Sequence, residues 1–342
     1  MKKYFYCLLA VMLTALSTTA LTSCGSDDDD DNNNNNNGGG GSSVTGNNSS
    51  LVKDGNILLT SITNSRKQET YTYTFAYDEL LRPISAKTTY SFNEVEDVMF
   101  TIDYNTGKIL YNNIGYVSVS FNSNGYINKI QGSWNGGSQL TTASYDNNGH
   151  VIGIERVHES YEEDGNYEKK VSKSILTWEN GNLTKRETNS IWSGKIQGSE
   201  KYTETFTYSN IPNKYKQFCF VYAYGKTDTE MIMTGLYGVG PNMLPQTEHS
   251  LGISEGHKET YESNWRLEFT QNENGTINTE KQIDSQDGHI RIDAQYHYTP
   301  ANEYKASGTR AAVTRTGNTS MNKDKRIKKF MRKALFMPTG IH

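Results

Sequence analysis

The chain of 342 residues carries 34 Lys and Arg against 38 Asp and Glu, a formal charge of −4, with 23 Tyr, 30 Gly and 3 Cys. An acidic balance gives no electrostatic footprint for nucleic acid, and so few cysteines exclude a disulfide-stapled scaffold or a zinc cluster.

At the N-terminus, Met1-Lys2-Lys3 is a short positive start and Tyr4 to Leu13 an apolar run, followed by small and hydroxyl residues to Ala20. That order is a secretory signal, and it is shorter than the roughly 20 apolar residues of a spanning helix. The next four residues, Leu21-Thr22-Ser23-Cys24, resemble the lipobox of bacterial lipoproteins. The resemblance implies cleavage after residue 23 and a diacylglycerol on the Cys24 thiol. Acyl chains partition at about 0.8 kcal/mol per buried CH2, so the implied partner is a lipid bilayer, reached through the acylated N-terminus. An ordinary signal with a chance cysteine is the alternative.

Residues 24–50 continue with five Asp (27–31), six Asn (32–37) and four Gly (38–41). Without apolar residues such a segment cannot offset the entropy of ordering, which predicts a disordered tether. Its residues 25–50 would span about 28 Å root-mean-square as a Gly-rich coil. The acidic run resembles the stretch that marks lipoproteins of the Bacteroidetes for display, implying an outer-membrane anchor and an outward-facing protein. Residues 305–342 hold ten Lys and Arg against one Asp, so the segment 24–304 is strongly acidic.

From 51 to 304 the dominant signal has period two. In "ETYTYTFAYD", Tyr71, Tyr73, Phe75 and Tyr77 share one face and threonines the other; "EKYTETFTY" repeats the pattern with Tyr202, Phe206 and Tyr208. Such alternation predicts half-buried strands. Tight turns are expected at Thr106-Gly107, Asn124-Gly125, Asn148-Gly149, Asn180-Gly181, Asn274-Gly275 and Asp287-Gly288. A phrase recurs across them: "VSFNSNGYINKI", "ASYDNNGHVIGI", "LTWENGNLTKRE", "LEFTQNENGTINTE". The fold expected is all-β, a long antiparallel hairpin meander.

The phrase resembles the tyrosine-aspartate (YD) repeats of large secreted wrapping proteins. Signal, acidic tether and hairpin body together, with "GLYGVGPNMLP" at Gly235–Pro245, resemble Bacteroidetes surface lipoproteins that carry a domain of unknown function with a porin-like fold. The resemblance spans residues 51–304. It implies a strongly curved sheet or incomplete barrel and brings no activity. The barrel is expected not to span a membrane, because the second face, as in Lys201 to Thr207, is polar where a lipid-facing band would be apolar.

Motifs of chemistry are weak. Gly252-Ile253-Ser254-Glu255-Gly256 matches G-x-S-x-G without a strand-turn-helix context and reads as a polar turn; His158-Glu159 lacks the second histidine of a zinc helix. The pairs His150/His158, His249/His257 and His289/His297 would sit about 26 Å apart on a strand, too far to share a metal. Cys219 in "QFCFVYAY" reads as a small hydrophobe in an apolar strand. No catalytic residue, metal or cofactor is therefore assigned. Trp178 fills the aromatic slot of the phrase and is expected in the core. Trp134 and Trp192 lie near glycine-rich turns, where an indole offers an apolar face and polar edge to a sugar.

The basic tail, 305–342, places Ile327, Phe330, Met331, Ala334 and Leu335 on one helical stripe. It suits either an anionic surface or the acidic body. The reading that results is a non-enzymatic, lipid-anchored surface protein that binds a glycan or a protein ligand or acts as a scaffold. The alternative is a secreted glycoside hydrolase with carboxylates gathered inside the sheet's concavity.

Overall fold

The computed structural model describes residues 57–305, apart from 67–68, 92–95, 112–115, 135, 162–166, 195–196, 224–228 and 256–258. The signal, Cys24, the tether and the basic tail lie outside the described residues.

Sixteen strands are found among the described residues. They are β1 (Ile57–Arg66), β2 (Glu69–Tyr77), β3 (Pro83–Tyr90), β4 (Glu96–Asp103), β5 (Lys108–Tyr111), β6 (Tyr116–Phe121), β7 (Ile127–Trp134) and β8 (Gly137–Tyr145). There follow β9 (Val151–Tyr161), β10 (Tyr167–Glu179), β11 (Asn182–Gly194), β12 (Gly198–Pro212), β13 (Met243–Ser254), β14 (Glu259–Gln271), β15 (Ile277–Asp284) and β16 (Ile290–Pro300). Each pairs antiparallel with its neighbour in sequence, and β1 pairs with β16, from Ile57 opposite Pro300 to Asn64 opposite Ala294. The all-β meander is thus as expected, and its curvature goes to completion: the sheet closes into a barrel and leaves no open edge.

Five of the six expected turns lie on one rim, and Asp287-Gly288, between β15 and β16, lies on the other. Four turns of the first rim, three of them expected and a fourth at Asp78, start at Asp78, Asn122, Asp146 and Asn272 and share one geometry: residue i exchanges backbone hydrogen bonds with i+3 and i+4. In three, the side-chain oxygen of residue i also accepts N–H groups at i+2 and i+4, as Asp146 does from Asn148 and His150. An Asx side chain stands in for the backbone there, which is why the repeat phrase needs Asp or Asn before the glycine.

The phrase's aromatic has an equally specific task. Tyr77, Tyr104, Tyr145, Trp178 and Tyr208 stand at or near the ends of β2, β4, β8, β10 and β12. Each donates from its polar tip to a carbonyl at the start of the preceding strand: Leu59 (2.7 Å), Pro83 (3.0 Å), Ile127 (2.6 Å), Val151 (2.8 Å) and Leu183 (2.7 Å). The rings bury apolar area while their one polar atom is satisfied. Together they brace the rim hairpin by hairpin.

The outer wall carries hydroxyl and charged pairs along the strands, with exposed Ile175, Ile191 and Ile253 among them. Directly opposed pairs include Thr63–Thr72, Thr207–Thr247 and Thr270–Thr279, and the ion pairs Lys169–Glu159 (3.0 Å) and Lys281–Asp293 (3.9 Å). Hydroxyl and opposite-charge pairs are stabilising cross-strand partners in water.

A sixteen-strand barrel is wide enough to leave a channel. Here the connection between Pro212 and Met243 folds inward and fills one end. It holds two one-turn helices, Phe220–Ala223 and Thr229–Met233. Phe218, Cys219, Phe220, Val221, Tyr222, Met231 and Met233 are all buried. Leu236 accepts a hydrogen bond from Ile127 N–H on β7 (2.8 Å), while Phe220 N–H donates to Glu280 on β15 (2.8 Å). Those strands are eight apart in the barrel, on opposite walls, so the segment crosses the lumen as a plug. The expectation of a strand around Cys219 is thereby corrected. Consecutive rather than alternate side chains are apolar there, because barrel surrounds the segment on every side.

Candidate functional site

The plug sits at the rim of Asx turns, where Lys214 and Tyr215 reach Asn274 O and Val239 N–H reaches Gly149 O. Towards the opposite rim the inward side chains change character. On β10 they pass from Leu176 to Ser174, Lys170 and Glu168; on β11 from Leu183 to Arg186, Ser190 and Trp192; on β12 from Phe206 to Glu204 and Glu200. Polar residues therefore occupy both faces of these strands near this mouth, unlike the aromatic/threonine alternation of β2.

The deepest part of this polar zone is a set of closed charge pairs. Arg186 grips Glu204 through Nε and Nη2 and donates from Nη1 to Tyr222 O of the plug (2.8 Å). Arg291 bonds Glu248 (2.7 Å) and Gln282 (2.8 Å) and lies over the Trp265 ring, 4.1 Å from its centroid. Glu280 takes the N–H groups of Phe220 and Val221 together with the Tyr296 hydroxyl (2.6 Å). Burial raises the pKa of Glu280 against these donors; burial also raises that of Glu248, with Arg291 opposing.

Nearer the mouth lies a different group. Lys170 on β10 stands opposite His158 on β9 and opposite Trp192 on β11. Its ammonium is 4.8 Å from the Trp192 centroid, and Trp134 on β7 packs its ring against His158 at 5.8 Å. All four side chains are half-buried although they face inward, so solvent reaches them from within. The His158 Nδ1 is buried with no hydrogen-bond partner. Burial, then the neighbouring Lys170 charge, lowers the His158 pKa; burial lowers that of Lys170, with Glu200 pulling it back up. Glu200 accepts the Tyr261 hydroxyl. Two aromatic faces thus flank two basic groups whose charged forms lack full solvation, an arrangement that an incoming anion would relieve.

Both tryptophans singled out in the sequence stand at strand ends beside glycine turns, Trp134 closing β7 and Trp192 two residues before the end of β11, with their rings toward the lumen. Trp178, expected in the core, is half-buried and packs against it, stacked on His150 with centroids 4.3 Å apart. His158 and Lys170 were missed; the signal was the period-two parity of Arg156-His158 and Glu168-Lys170. Among the other candidates, Gly252 to Ser254 continue β13, so the G-x-S-x-G match begins in strand rather than turn. Glu159 is on the outer wall, bonded to Ser138, Tyr167 and Lys169. His249 pairs with Glu262 outside (2.8 Å), and His257 lies outside the described residues. Among the described residues no three His, Cys, Asp or Glu side chains converge as a metal would require.

No family model matches the chain, and no curated protein does. Among solved structures, a porin-like protein from Bacteroides uniformis ATCC 8492 is 14% identical with a TM-score of 0.49, covering 70% of this chain and 96% of that one. A porin-like protein from Bacteroides vulgatus ATCC 8482 is 12% identical with a TM-score of 0.48, covering 71% of this chain and 98% of that one.

Proposed function

We propose that this is a non-enzymatic, lipid-anchored surface protein that binds an acidic glycan at the end of its barrel away from the plug. The observation that carries the reading is the inward ladder Trp134, His158, Lys170, Trp192. A pyranose presents a C–H face that stacks on an indole, and a uronate adds a carboxylate that Lys170 and His158 can meet. The charged and hydroxylated outer wall suits a barrel standing in water, not one embedded in lipid. Membrane attachment then falls to Cys24, and the acidic tether favours display at the cell surface.

The hydrolase reading is weaker because four of the inward carboxylates are engaged. Glu204 is held by Arg186, Glu248 by Arg291, Glu280 by the plug and Glu200 by Tyr261. A glycosidase instead needs two carboxyls free to meet one glycosidic bond. The test is a panel of neutral and uronate-containing oligosaccharides incubated with the full-length protein, scored for binding and for new reducing ends. Binding without cleavage supports the reading. Reducing-end release abolished by Glu200→Gln would replace it with the hydrolase.

A further inference from the structure

A second recess lies at the other end of the molecule, in the seam between plug and rim. It is a cleft of about 350 Å3 lined by Asn148, His150, Gly181, Lys216 and Asn242. Lys216 and Asn242 belong to the plug connection; Asn148, His150 and Gly181 belong to the turns between β8 and β9 and between β10 and β11. The seam is tightly made: Val239 N–H donates to Gly149 O and Asn242 N–H to Gly181 O, both at 2.9 Å. Asn242 Nδ2 also donates to Asn180 O at 3.0 Å.

Two non-glycine residues at this cleft hold left-handed backbone, Asn180 (φ 52°) and Lys216 (φ 49°). For lysine that conformation is costly, and it persists where the surroundings over-determine it, commonly at ligand sites. Lys216 lines the cleft with an exposed side chain whose ammonium has no bonded partner among the described residues. His150 is fixed from two sides, by Trp178 stacking on its ring and by Asp146 Oδ2 at 2.9 Å from Nδ1. With Nδ1 bonded to Asp146, Nε2 is the ring's remaining polar atom.

We infer that this cleft binds a tetrahedral oxyanion, free or carried on a sugar, between the Lys216 ammonium, the His150 imidazole and the side-chain amides of Asn148 and Asn242. No aromatic face is open here, since His150 covers Trp178, so the cleft differs in chemistry from the lumen mouth. A lysine, an imidazole and amide donors are the groups that recognise phosphate or sulfate oxygens. A ligand in this position bridges plug and wall, and therefore stabilises the plugged state by mass action.

The experiment is thermal unfolding of the full-length protein in inorganic phosphate, in glucose 6-phosphate and in chloride at matched ionic strength. Either phosphate should raise the melting temperature in a saturable way that chloride does not reproduce. Lys216→Gln, which keeps a polar side chain but shortens it and removes the charge, should weaken the apparent affinity at least tenfold. Asn148→Ala should weaken it severalfold without unfolding, because the turn uses only that residue's backbone N–H. Stabilisation no greater than chloride's would overturn the site. So would full phosphate affinity in Asn148→Ala together with either full affinity or loss of folding in Lys216→Gln.

Discussion

The backbone N–H of Phe220 donates to the carboxylate of Glu280 at 2.8 Å, joining plug to wall across the β12–β15 region of the chain. Val221 N–H (3.0 Å), the Tyr296 hydroxyl and Gln282 Nε2 (2.8 Å) share the same carboxylate. Glu280→Ala would leave several buried donors unsatisfied, each at about 1–3 kcal/mol. The expected outcome is a loss on the order of 4 kcal/mol in urea unfolding. A loss below about 1 kcal/mol would mean that the plug is held elsewhere.

The same carboxylate sets a pH dependence. Burial holds the Glu280 pKa above its ordinary value of 4.5. A raised carboxyl binds its proton more tightly when folded, so its contribution is full below the unfolded pKa and is lost as pH rises through the folded one. Glu280→Gln should therefore show a less negative slope of stability against pH above about 4.5 than the unsubstituted protein. Parallel slopes would contradict it.

Arg186 and Glu204 form a closed pair beneath the mouth. Arg186→Ala strands a buried carboxylate and should cost about 3–5 kcal/mol, whereas Arg186→Met with Glu204→Leu should recover most of that. Equal losses in the single and double variants, measured by denaturant unfolding, would show that the pair carries more than its own burial.

Gly238 combines a φ of +103° with close approach: a Cβ there would stand 2.4 Å from Gly149 O. Gly288 has φ +74° and open space around it. Gly238→Ala should thus cost about 2 kcal/mol or more, and Gly288→Ala about 1, the backbone term alone. Equal melting temperatures for the two would deny that the plug is pressed against the rim.

Anchoring is tested apart from the fold. Cys24→Ala should abolish incorporation of labelled fatty acid and release the protein from membranes. Changing Asp27 to Asp31 into Asn keeps the tether's reach but removes five charges, and should leave the protein lipidated yet shielded from external protease on intact cells. Unchanged membrane association in the first variant, or unchanged exposure in the second, would remove those two assignments in turn.

What the sequence made legible was local. Tyr145, Asp146 and Gly149 lie within five residues, and their roles as brace, Asx turn and left-handed corner follow from side-chain chemistry. Closure did not, because it depends on Ile57 meeting Pro300, a pairing with no local trace. Nor did the plug: "QFCFVYAY" is apolar enough for a strand, and only the surrounding barrel lets Gln217 to Tyr222 stay buried without alternation. Trp134 and Trp192 could be picked by residue type. Joining them through His158 and Lys170 required the register of β9, β10 and β11, which single strands do not encode.

The most direct test of the central claim is calorimetric titration of the full-length protein with a uronate oligosaccharide and its neutral, reduced counterpart. The unsubstituted protein should bind the uronate and not the neutral form. Lys170→Met should lose at least tenfold, about 1.4 kcal/mol, and Trp192→Ala as much, with unfolding midpoints little changed. Equal affinity for the acidic and neutral oligosaccharides, or uronate binding untouched by Lys170→Met and Trp192→Ala, would contradict the claim that the barrel mouth is the binding site.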